Sequence, residues 1–278
     1  MRFSGPDQYP AALALRRVGT AFTLVELLVV MGVVAVLLSL LIPVLSSAKR
    51  SGQAAASTNN LRELAAANFA YAGEHDGVFC PAQDQRNLVR WHGARTSANS
   101  AFDPGKGYLS PYLGQSGRVK VCPLFQNILT GSKSFENGTG GYGYNEWYVG
   151  GTPAAMFQPN RQVAIARPAQ TVMFTTTAYA NGSSVQEYPF CEPPFWPGAD
   201  GNPSGGRPSP TVHFRFRGLA LVAWCDGHVS AERRQDRDEG DNPHGGEAAA
   251  HDLGWFGPDA GNGYWNSQRD PSGNNGNP

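Results

Sequence analysis

Residues 22–42 read FTLVELLVVMGVVAVLLSLLI, and Glu26 is the only ionisable side chain among them. At ~1.5 Å per residue this run reaches about 31 Å, the thickness of a ~30 Å bilayer core. A helix apolar on every face has no side to turn to water, so the run predicts a membrane span or a cleaved signal rather than a soluble core helix. Arg2, Arg16 and Arg17 against Asp7 leave positive charge in excess before the run, which holds the N-terminus in the cytoplasm. A secretory signal would be shorter and end at a small-x-small cleavage site. This run instead passes through Pro43 into Leu45, Ser46, Ser47, Ala48, Lys49 and Arg50 without a break, which favours a retained anchor. Glu26 is the anomaly. A carboxylate at the bilayer centre costs about 2.5–3.5 kcal/mol, less toward the interface, so such a residue calls for a partner, and the nearest candidate is an amine.

The stretch Ala21-Phe22-Thr23-Leu24-Val25-Glu26-Leu27-Leu28-Val29-Val30 resembles the class III signal of type IV pilins and type II secretion pseudopilins. In that family a prepilin peptidase cuts on the cytoplasmic side just before the Phe and N-methylates the new terminus. The apolar helix then stays as anchor and filament core. The resemblance implies cleavage between Ala21 and Phe22, with Glu26 fifth in the trimmed chain. The family usually has Gly before the cut where this chain has Ala21, and a leader of 21 residues is long for it. The resemblance also implies a single-pass protein of the bacterial inner membrane with an extracytoplasmic head. Its implied partners are prepilin peptidase, copies of itself and other pseudopilins, the inner-membrane assembly platform and the lipid bilayer.

In a trimmed chain the α-amine of Phe22 and the Glu26 carboxylate lie four residues apart on one helix face. In a staggered bundle of identical helices the carboxylate of one subunit reaches the amine of its neighbour. Such a pair offsets its desolvation only in the correct register, so it sets assembly more than stability. The alternative is a Glu26 that snorkels to the cytoplasmic interface or stays protonated. Gly32 and Pro43 are the helix-weakening positions of the segment.

Beyond the apolar run the helix is expected to continue. Leu61, Leu64, Ala65, Asn68 and Ala72 share one face at 3.6-residue spacing, and His75-Asp76-Gly77 ends it. The remainder is different in kind. Charged residues are only 16%, and 34 Gly and 21 Pro are spread through the chain, which excludes a coiled coil or helical bundle and predicts short strands joined by long loops. Strands are expected over 119–123, 162–166, 171–178, 211–216, 219–225 and 228–231, the last two joined by an Asp226-Gly227 hairpin turn and the last three forming a meander. Residues 138–151 and 198–210 read as loops, and the tail from 236 is expected to dock through Trp255, Phe256, Tyr264 and Trp265. Lys plus Arg and Asp plus Glu are both 22, so no broad basic field exists and no nucleic-acid partner is expected.

Cys122-Pro123, Tyr142-Gly143-Tyr144-Asn145 and Trp224-Cys225-Asp226-Gly227-His228-Val229 resemble the large pseudopilin-like proteins abundant in planctomycete and verrucomicrobial genomes, which end in an Asp-Gly-His-Val strand. That group often has a His and an Asn upstream of the Asp-Gly, where this chain has Phe216 and Leu221, so a site made of those side chains is not expected.

Cys80, Cys122, Cys191 and Cys225 all follow the apolar run, and in an oxidising compartment an even count predicts two disulfides in one of three connectivities; four buried thiols are the alternative. His213, Cys225, Asp226 and His228 are close in sequence and imitate a Cys–His or metal site, but alternation along a strand sends Cys225 and Asp226 to opposite faces, and Asp226 reads as the turn residue. Asp236, Asp238 and Asp241 place oxygen ligands at near-alternate positions, a Ca²⁺-type pattern lacking the full EF-hand order; major pseudopilins carry a C-terminal calcium site, and a solvated acidic loop is the alternative.

The expectation is an α+β protein: a long N-terminal transmembrane helix continuing into a pilin-like head with a small antiparallel β-sheet and long Gly/Pro-rich loops. Its segments are a cytoplasmic leader (1–21), the transmembrane helix (22–45), the extracytoplasmic half of that helix (46–77), the β head (78–235) and a Gly/Asn-rich tail (236–278). It is expected to be a pseudopilin-like filament subunit without catalytic activity or a required cofactor. The alternative is a membrane-anchored surface or binding protein that uses the same signal and never polymerises.

Overall fold

A computed structural model of the chain describes residues 23–129, 136–152, 154–235 and 246–268. It opens on one uninterrupted helix, α1 (Leu24–Glu74), of 51 residues. The chain divides into two compact units, residues 1–49 and 50–278. In the first unit the large apolar side chains of α1 from Leu24 to Leu45 are all exposed, between 46% at Val34 and 78% at Leu24. The few polar groups there satisfy themselves locally: Ser39 Oγ donates to the Val36 carbonyl at 2.7 Å and Ser46 Oγ to the Pro43 carbonyl at 2.9 Å. That is the requirement on any segment that enters lipid, where no water can serve its hydroxyls. By length and composition the helix is able to cross a membrane.

In the second unit α1 becomes one-sided. Ser57, Leu61, Leu64, Ala65, Ala67, Asn68 and Ala72 are buried, the face expected from their spacing. The helix stops at a left-handed turn, with Asp76 at φ +52° and Gly77 at φ +76°, and the Gly77 amide donates to the Ala72 carbonyl at 2.8 Å.

Ten short strands follow among the described residues: β1 (Val89–Arg90), β2 (Gly93–Ala94), β3 (Tyr142–Tyr144), β4 (Val172–Thr176), β5 (Tyr179–Asn181), β6 (Ser184–Gln186), β7 (Val212–His213), β8 (Leu219–Trp224), β9 (Val229–Arg233) and β10 (Leu253–Gly254). A four-stranded antiparallel sheet has the order β3-β4-β8-β9, while β1–β2, β5–β6 and β7–β10 are separate pairs. The chain is therefore α+β, a long apolar helix with small antiparallel sheets. In the main sheet Tyr144 stands opposite Phe174, Phe174 opposite Ala223 and Ala223 opposite Val229.

Strand β8 explains why the unit has two cores. Leu221, Ala223 and Cys225 enter the cluster that also holds Leu61, Leu64, Trp91, Tyr144 and Phe174. Their alternates Ala220, Val222 and Trp224 enter a second cluster with Tyr148, Phe214, Trp255, Phe256 and Trp265. The period-two alternation of a strand thus gives both faces of the sheet an apolar cover.

The Asp226-Gly227 turn forms as expected: the Trp224 amide donates to the His228 carbonyl at 3.0 Å, and Gly227 takes φ +92°. The aromatic residues of the tail dock as expected too, with Trp265 and Phe256 fully buried. Other expectations are corrected. Residues 211–216 yield only the two-residue β7, which pairs with β10 of the tail, because Phe214 to Leu219 fold back in a tight turn with Arg217 at φ +59°. Residues 119–123 form no strand, and residues 162–164 form a single 3₁₀ turn closed by the Ala164 amide on the Arg161 carbonyl. Conversely, the expected loop 138–151 contains β3. Gly143 makes that strand possible, since a Cβ there would stand 2.5 Å from the Thr177 methyl and 2.7 Å from the Phe190 backbone.

Candidate functional site

Ala21 and Phe22 lie outside the described residues. Glu26 sits in the first turn of α1, and its carboxylate is already engaged. Oε2 accepts from the Thr23 amide at 2.9 Å and from Thr23 Oγ1 at 2.7 Å, while Thr23 Oγ1 accepts from the Glu26 amide at 3.2 Å. This reciprocal pair is a capping box, which satisfies helix-end amides and sets a negative charge against the positive end of the helix dipole. The Thr-x-x-Glu spacing is its signal in the sequence. In the single chain, therefore, Glu26 has a local structural role.

All four cysteines are free and buried, a correction to the expected two disulfides. Each sits in its own packed surroundings. The Cys80 amide donates to Asn68 Oδ1 at 2.9 Å, Cys122 Sγ lies 3.2 Å from Ser57 Oγ, and Cys191 belongs to a different core cluster from the other three. Burial holds the Cys80, Cys191 and Cys225 thiols above their ordinary range, which keeps them protonated and inert.

The residues that imitate a Cys–His site are not arranged as one. Asp226 Oδ1 accepts from the His228 amide at 3.1 Å and lies 2.6 Å from His228 Nδ1, both contacts inside the hairpin turn, while Cys225 is buried in the core. His213, in β7, is pushed down to about 2 by burial and by Arg215 and His251. Phe216 and Leu221 pack in the core. Asp236, Asp238 and Asp241 lie outside the described residues.

A buried carboxyl pair has no local signal among these residues. Glu146 and Glu192, 46 positions apart, are 5% and 3% exposed. Glu192 accepts from Tyr188 Oη at 2.8 Å and from Trp147 Nε1 at 3.1 Å, and Glu146 accepts from Gln83 Nε2 at 3.3 Å. Burial, and then the charge of Glu192, hold Glu146 well above the usual 4.5, so it keeps a proton and gives it to the hydrogen bond with Glu192. Nearby, Arg90 pairs with Glu136 and lies over the rings of Phe102 and Phe190 at 4.7 and 5.2 Å.

This pair has a signed consequence. The unfolded chain releases the Glu146 proton near 4.5 whereas the folded one retains it, so the contribution to stability is complete below 4.5 and shrinks as pH rises. Glu146→Gln keeps a neutral donor and removes that loss; it is expected to stabilise the fold at pH 8 by about 1–2 kcal/mol and to flatten the alkaline side of the profile of urea midpoint against pH. An unchanged slope would mean that Glu146 is ionised in the fold. His92 and His213 act in the opposite sense. Burial keeps both rings neutral, so their contribution is complete above 6.5 and is lost as pH falls.

Compared with protein-family models, curated proteins and solved structures, the chain matches none.

Proposed function

We propose that the chain is a pseudopilin-like structural subunit: trimmed by prepilin peptidase between Ala21 and Phe22, held by its N-terminal helix in the bacterial inner membrane, and assembled through that helix into a type II secretion or type IV pilus-like filament. The head is then a pilin-like head outside the cytoplasm. The observation that carries this reading is the combination on α1 of a fully exposed apolar surface from Leu24 to Leu45 with one carboxylate, Glu26, at its N-terminal end.

The capping box gives the proposal a physical form. Before assembly, Thr23 holds the Glu26 carboxylate through its amide and its hydroxyl. A neighbouring Phe22 α-amine offers a full positive charge in lipid, where a matched pair offsets the desolvation of both groups and a mismatched one leaves a strongly unfavourable unpaired charge. The carboxylate exchanges one partner for the other only when the helices are in register. The partners are accordingly the peptidase, further copies, other pseudopilins, the assembly platform and the bilayer.

The test is mass spectrometry of the N-terminus of the chain isolated from its own membrane. A terminus at Phe22 carrying one added methyl is the expected result. An intact Met1 overturns it and leaves a membrane-anchored surface or binding protein that never polymerises.

A further inference from the structure

A cavity of about 180 Å³ opens in the second unit where the loop 196–206 meets the tail. It is well above the ~30 Å³ share of one water and below the ~300 Å³ at which pockets for drug-sized ligands begin. Besides Tyr148, its polar side chains are those of Thr152, Asn160, Asp200, Asn266, Ser267 and Gln268. They are hydroxyls, carboxamides and one carboxylate, with no lysine, arginine or histidine among the described lining.

These groups are held by their own hydrogen bonds. Asn160 Nδ2 donates to the Tyr148 carbonyl at 3.3 Å and to Ser267 Oγ at 3.1 Å, and Asn160 Oδ1 accepts from the Arg161 amide at 3.0 Å. The Gly201 carbonyl accepts from Tyr148 Oη at 3.1 Å and from Asn266 Nδ2 at 3.3 Å, which pins the tip of the loop to the tail. The anchors leave capacity over. Ser267 is 2% exposed, and its Oγ accepts from Asn160 while keeping a proton to donate. Thr152 Oγ1 donates to the Ala155 carbonyl at 3.3 Å and keeps lone pairs to accept. Gln268 Nε2 donates to the Ala164 carbonyl at 2.8 Å and keeps Oε1 to accept. Preset donors and acceptors in a wall without a cation suit hydroxyls, which both donate and accept, and do not suit an anion.

Trp196 is an independent sign. Trp91, Trp255 and Trp265 are at most 2% exposed, whereas Trp196 is 40% exposed and meets Trp147 edge-on with ring centroids 5.7 Å apart. It stands on the stem of the same loop: its carbonyl accepts from the Ser204 amide at 2.8 Å, and the Gly198 amide donates to the Asn202 carbonyl at 2.7 Å. From Trp196 to Ala199 in the cavity wall an extended chain spans at most about 10–11 Å, the reach of two linked sugar rings. A held, water-facing indole matches the apolar C–H face of a pyranose.

We propose that this cavity binds one ring of a neutral saccharide, with the adjoining ring laid on Trp196. Ser267 Oγ donates to a sugar hydroxyl, and Thr152 Oγ1, Gln268 Oε1 and the Asp200 carboxylate accept from others. The same carboxylate repels sulfated and uronic sugars. The site belongs to the second unit alone and does not depend on the filament reading.

The experiment uses the full chain in lauryldimethylamine oxide, a detergent without a sugar headgroup. Saturation-transfer NMR is run with cellobiose, maltose, lactose and N,N′-diacetylchitobiose, with a sulfated heparin disaccharide as the charged counterpart and the tripeptide Gly-Asn-Gly as the peptide counterpart. At least one neutral disaccharide is expected to give saturable transfer, and both counterparts none. Trp196→Ala and Gln268→Ala are each expected to weaken that binding about tenfold. Both side chains are exposed, so both variants are expected to melt close to the parent, which separates loss of binding from loss of fold. Silence of all four neutral sugars overturns the proposal, as does binding at parent strength in either variant. Transfer to the heparin disaccharide or to the tripeptide alone also overturns it, in favour of an anion or a peptide site. An intact Met1 with sugar binding retained removes the filament reading and leaves this one standing.

Discussion

Glu26→Ala is expected to leave the chain in the membrane and remove it from filaments. Losing the only ionisable group of residues 22–42 makes the span more apolar, so insertion has nothing to lose. What the substitution does remove is twofold: the cap that Glu26 makes with Thr23, and the charge that the proposal pairs with a neighbour's amine. Glu26→Gln separates the two. Glutamine serves at this position of a capping box as glutamate does, but it carries no charge. If charge pairing governs assembly, both variants lose inter-helix crosslinks in membranes and vanish from the sheared filament fraction. Normal assembly of Glu26→Gln would reduce Glu26 to a helix cap and refute the register mechanism.

Asn145→Ala is expected to destabilise the second unit by about 3–5 kcal/mol, a large part of the ~5–15 kcal/mol available to a typical domain. Asn145 is completely buried, and its side chain joins three segments. Nδ2 donates to the Val172 carbonyl and to the Trp265 carbonyl, both at 2.9 Å, and Oδ1 accepts from the Tyr148 amide at 3.2 Å. Alanine orphans two carbonyls and an amide inside the protein and leaves a void the size of a carboxamide. Urea unfolding followed by tryptophan fluorescence reads the loss. Limited proteolysis of the tail reads its location, because Trp265 is one of the three partners. A loss below about 1 kcal/mol would show that residues 246–268 are not part of the cooperative unit.

How legible this molecule is depends on how local each signal is. The extent of α1, its buried face and its end at Gly77 follow from helical spacing and a left-handed stop, both written within a few residues. The β8–β9 hairpin is equally local, since Asp226-Gly227 specifies the turn and apolar alternation specifies the strands. Strand β3 is not legible, because Tyr142-Gly143-Tyr144 beside further glycines has the composition of a loop, and only the closeness of the Phe190 backbone explains why glycine is needed in a strand. Residues 162–166 err in the other direction: apolar alternation is present, yet among the described residues no strand pairs with it, and 162–164 take a 3₁₀ turn. At the candidate sites, the Thr23–Glu26 cap is readable from spacing. The Glu146–Glu192 pair is not, because each residue alone reads as a surface glutamate and only the fold brings them together across 46 positions.

The β7–β10 pairing and the burial of Trp255, Phe256 and Trp265 settle when this protein becomes itself. The second core waits for residues near position 265 to leave the ribosome, long after the greasy N-terminal rod has been made. Contacts this distant along the polypeptide, such as Asn145 with Trp265, form late and slowly. The body's own final stretch therefore acts as its clasp, and a chain stopped short of that clasp is left open to proteolysis.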